Sequence, residues 1–134
     1  MTTDLHARLD TDPAAGLRGV AALMRERAEA ATPGPWEAIP GAFGDPWGGP
    51  DHMRVVTSGW SGAYDAEKTV ARLEYERQGG DDAAHIAAAD PPFVLAVADW
   101  LDKTAENVDR TSLYARGIDC EKAIATARAY LDPR

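Results

Sequence analysis

Between Pro33 and Gly62 the chain concentrates seven of its 12 glycines, five of its nine prolines and three of its four tryptophans. No long helix survives such a run, because proline removes a backbone donor and glycine loses the most conformational freedom on ordering. Long helices must lie on either side, and any order inside must come from short strands and turns. Residues 33–64 therefore read as a loop-rich strand region. Trp36 to Ile39 and Met53 to Ser58 are its candidate strands, the second because Val55 and Val56 stand between turn-forming residues.

On the N-terminal side, Leu17, Val20, Met24, Ala28 and Ala31 recur at spacings of three and four, one face of an amphipathic helix. Asp12 is placed to cap it, Pro13 occupies the first helical position, where its missing N–H costs nothing, and Thr32-Pro33-Gly34-Pro35 ends it. Gly16 and Gly19 weaken its first turns, which points to close packing of another backbone there. Residues 1–12 are the end least tied to the rest, with Leu5 and Leu9 spaced for a short separate turn of helix.

On the C-terminal side, Thr69 to Glu76 alternates, Ala71, Leu73 and Tyr75 against Arg72, Glu74 and Glu76, which reads as an edge strand although these residues also favour helix. Gly79-Gly80 breaks the chain, and Asp81 then opens an alanine-rich helix anchored by Ile86. Asp90-Pro91 caps and starts the next, whose Val94, Val97, Ala98, Leu101, Ala105 and Val108 form the clearest stripe in the chain. Phe93 and Trp100 fall seven apart on a line flanking that stripe, and Trp100 is expected in the core, against the first helix or the last. Residues 81–110 thus hold the central helices. A final helix over 118–132 places Cys120, Ile124, Ala127 and Leu131 on one side. The expected fold is α+β, a single domain of three main helices packed on a small antiparallel sheet of two or three strands.

Charge narrows the function classes. Fourteen basic against 22 acidic residues leave −8 across 134 residues, a field that repels phosphate backbones and anionic lipid. Direct nucleic-acid and membrane partners are disfavoured. The lone cysteine, Cys120, permits neither an internal disulfide nor a cysteine-based zinc site, which suits a reducing compartment, and the cytoplasm is the expected location. No apolar run reaches the length of a membrane span.

Two stretches carry a resemblance. One is Arg25-Glu26-Arg27-Ala28-Glu29-Ala30-Ala31-Thr32-Pro33-Gly34-Pro35-Trp36; the other is Asp82-Ala83-Ala84-His85-Ile86-Ala87-Ala88-Ala89-Asp90-Pro91, followed by an aliphatic helix. In this order they resemble the Ead-like accessory proteins of temperate phages and related actinobacterial phage and prophage proteins, over residues 17 to 108, with 110–134 outside the pattern. The resemblance implies a phage accessory protein and no agreed catalytic residues. Thr-Pro-Gly-Pro-Trp reads physically as a rigid turn: Gly34 permits a positive φ between two prolines, and Pro35 presents Trp36 at a fixed angle, as a plug for the core.

Catalytic signatures are missing from the sequence: it holds no Gly-x-Ser-x-Gly, no paired Cys and His, and no phosphate loop. Cys120 reads as core filler. No cofactor is implied, and the expectation is a non-enzymatic protein that binds and modulates a host protein. The candidate contact residues are Phe43, Trp47, His52, Trp60 and Tyr64, large or polar-tipped side chains among glycines, as in recognition loops. An acidic protein steers toward basic partners, nucleic-acid-binding proteins among them, and a homodimer is compatible with the same features. Two alternatives stay open. One is a nucleotide or signal binder that stacks a base on tryptophan while Arg54 or Arg72 meets phosphate; the other is a metal-dependent hydrolase built on Asp51, His52, Asp82 and His85.

Overall fold

The computed structural model describes residues 2–40, 52–57, 69–74, 79–110 and 117–132. Among the described residues, five helices and three strands run in the order α1 (Thr2–Thr11), α2 (Pro13–Ala30), β1 (Trp36–Pro40), β2 (His52–Thr57), β3 (Thr69–Glu74), α3 (Gly79–Ala88), α4 (Pro91–Arg110) and α5 (Gly117–Leu131). The class is α+β, with five helices instead of three, because both short segments that flank prolines, α1 and α3, complete their turns. Two compact units divide the chain: residues 1–27 with 95–134, and residues 28–94.

The first unit is helical. Asp12 caps α2 through its Oδ1, which accepts the Ala15 N–H at 3.3 Å, and Pro13 opens the helix. The buried faces come from Leu17, Val20, Ala21 and Met24 of α2, Ala98, Leu101, Ala105 and Val108 of α4, and Cys120, Ala123, Ala127 and Leu131 of α5. Leu5 and Leu9 of α1 join this core. The two glycines explain how α1 comes so close: a Cβ on Gly16 would lie 2.7 Å from the Leu9 backbone nitrogen, and one on Gly19 would collide with the Leu5 side chain. Gly16 acts by absent volume, since a side chain there would meet the backbone of α1, whereas one on Gly19 would meet only the end of the Leu5 side chain.

Ion pairs rim this core. Arg25 of α2 bridges two α4 carboxylates, Asp99 at 2.7 Å and Asp102 at 2.6 Å, and Arg18 meets Asp109 at 2.5 Å. Arg128 of α5 pairs with Asp10 of α1, and the Arg27 guanidinium sits 5.3 Å from the centre of the Tyr130 ring. The pairs are exposed, so they fix which helix faces which more than they stabilise the fold.

In the second unit the strands form an antiparallel sheet of order β1-β2-β3. Trp36 lies opposite Thr57 and Pro40 opposite Met53 across the first pairing. On the second, Val55 faces Ala71 while Val56 faces Thr69, so Val70 is an extra residue and β3 is bulged there. The strand expected over Thr69 to Glu76 is thus present as β3. Helix α3 lies against all three strands. Among its described side chains Ala83 is fully buried and Ile86 only half-buried, a correction to the expected anchor: a small side chain lets the helix approach the sheet closely. The helix also begins at Gly79, two residues before its expected start at Asp81, which moves Asp81 into its first turn. Arg54, Val55 and Val56 are buried in succession along the central strand. Successive side chains point to opposite faces, so both faces of β2 are covered.

Candidate functional site

The two motifs that carry the family resemblance meet in space. Asp90 accepts the Phe93 N–H on Oδ1 at 3.1 Å, the cap of α4, and accepts the Trp36 backbone N–H on Oδ2 at 3.2 Å. One carboxylate therefore fastens the first residue of β1 to the start of α4. The Trp36 indole N–H donates to the Thr32 carbonyl at 2.9 Å, which holds the half-buried ring over its own turn, so Trp36 is less of a core plug than its sequence context suggests. Gly34 has no positive φ. A Cβ there would lie 2.7 Å from Cδ of Pro92 and 3.3 Å from Cδ of Pro91, so glycine is required by the proline rings of α4 and not by the turn; the Gly34-Pro35 peptide is cis. These contacts leave the motifs a structural task.

Of the anticipated contact residues, Phe43, Trp47, Trp60 and Tyr64 lie outside the described residues, as does Asp51. His52 opens β2, its Cα opposite that of Glu74. Asp82 and His85 are both exposed on α3, and among the described residues no group of three His, Cys, Asp or Glu side chains stands close enough to hold a metal ion. Arg54 is only 1% exposed within the sheet, which removes it as a surface guanidinium for a ligand phosphate. Cys120 is a free, buried thiol on the apolar side of α5.

Helix α4 supplies what the sequence reading misplaced. Phe93 is 56% exposed and Trp100 39% exposed, which overturns the expected burial of Trp100. The physical reason is angular. At about 100° per residue, Trp100 points roughly a quarter turn away from Leu101, the centre of the buried stripe, and Phe93 falls on the same side. Ala96, Lys103 and Asn107 share that line and are exposed as well, and the polar Lys103 and Asn107 are the signal in the sequence that this line faces outward. Seven residues at about 1.5 Å each set the two aromatic positions about 10 Å apart along the helix.

Around α4 the charges are mutually satisfied. Glu106 takes Lys103 at 3.1 Å and Arg110 at 2.6 Å, and the Lys103 hydrogen bond, seconded by Arg110, holds its carboxyl below the usual range. The hydrogen bond to Asp109 raises the Arg18 guanidinium further above its already high value, and those to Asp99 and Asp102 do the same for Arg25. Both stay cationic at every pH at which the protein is folded. Among the described residues no helix is long and apolar enough to cross a membrane.

No curated protein and no solved structure matches the chain. The family model for Ead/Ea22-like proteins matches residues 21–132, which takes in α5 and so extends the likeness beyond the limit near residue 108 that the motifs suggest. With the match spanning most of the sequence, and with its two motifs joined at Asp90, the chain belongs to the Ead/Ea22-like family of phage accessory proteins.

Proposed function

We propose that this phage accessory protein works by binding and modulating a host protein in the host cytoplasm, without catalysis of its own. The observation that carries the reading is the exposure of Phe93 and Trp100 on α4. Large aromatics one heptad apart on a helix are the anchors of helix-in-groove recognition, where rigid rings bury much area at small entropic cost. The aromatic-rich segment with Phe43, Trp47, His52, Trp60 and Tyr64 supplies a second set of contacts in this proposal. Charge selects the partner. The net charge is −8, and Arg18, Arg25, Lys103, Arg110 and Arg128 are each engaged by a carboxylate, so a basic host protein is favoured, including one whose nucleic-acid site an acidic surface occupies.

Capture from host lysate tests it, with wild type beside Phe93→Ala/Trp100→Ala and Trp47→Ala/Trp60→Ala. A host protein retained by wild type at moderate salt and lost by the first double mutant supports the α4 contact, and loss by the second supports the segment. Equal recovery by all three removes both surfaces.

A further inference from the structure

No further inference is drawn: the strongest candidate, the exposed Phe93 and Trp100 side of α4, belongs to the contact already proposed, and nothing in the structure shows what else covers it.

Discussion

Asp90 and Trp36, 54 positions apart in sequence, are joined by a 3.2 Å hydrogen bond from the Trp36 backbone N–H to one carboxylate oxygen of Asp90, while the other oxygen caps α4. Both oxygens are used, so graded substitutions can separate the two roles. Asp90→Asn keeps one acceptor oxygen and can serve the cap but not both partners, whereas Asp90→Ala serves neither. A lost cap costs about 1 kcal/mol and a lost part-buried hydrogen bond about as much again. Denaturant melts should therefore rank wild type above Asn above Ala, with the alanine variant down by about 2 kcal/mol. Equal losses for Asn and Ala would remove the second role.

Gly34→Ala places a methyl against the Pro92 ring, a rigid neighbour that cannot swing aside. The expected cost is about 1–3 kcal/mol, and Pro92→Ala should recover part of it, so that the double mutant is more stable than the sum of the singles implies. Additive losses would show that Gly34 is needed for some other reason.

Gly16→Ala makes the sharper case. On an isolated helix this change stabilises by about 1 kcal/mol, because alanine loses less backbone freedom. Here the Leu9 backbone occupies the space, so a thermal melt should show a net loss. A gain would mean that α1 does not rest on α2 in solution.

Trp100→Ala and Leu101→Ala separate surface from core within two adjacent positions. Leu101 has no exposed surface, and truncation should cost about 2–5 kcal/mol. Trp100 is 39% exposed, and alanine's better helix propensity offsets part of what is lost, leaving about 1–2 kcal/mol. A larger loss for Trp100 than for Leu101 would mean that the tryptophan is the more deeply packed of the two.

Glu106 gives a pH handle. Its folded-state pKa lies below the ordinary value, so its contribution to stability is present above the unfolded value and fades as pH falls through the folded one. A carboxyl titration followed by NMR should find its midpoint below that of an ordinary exposed glutamate, and Lys103→Met should move the midpoint up. An unmoved midpoint would assign the shift to Arg110 alone.

Local signals in the sequence locate most of the elements. The caps at Asp12 and Asp90, the proline starts of α2 and α4, and the Val55-Val56 pair in β2 are read from one or two neighbouring residues, and the structure has them there. What fails is whatever depends on distant partners. Gly34 looks like a turn glycine because its neighbours are prolines, yet the decisive prolines are Pro91 and Pro92. Arg54 looks like a ligand for phosphate because one face of a small sheet is commonly solvated; with both faces of β2 covered, alternation no longer separates inside from outside. Trp100 looks like core because it is large and near the stripe, and only its angle places it otherwise. In the proposed segment from Phe43 to Tyr64, β2 is the part that is described, and Phe43, Trp47, Trp60 and Tyr64 lie outside the described residues.

Since the two motifs that carry the resemblance spell out a corner of the chain, where Trp36 and Gly34 meet Asp90 and Pro92, recognising them is recognising a joint. A joint can be inherited intact while every outward face drifts. Proteins that share this corner are thus expected to share the path of the backbone through β1 and the start of α4, and to be free to differ in whatever they seize; the specificity of each has to be sought at outward positions such as 93, which the corner orients but does not dictate.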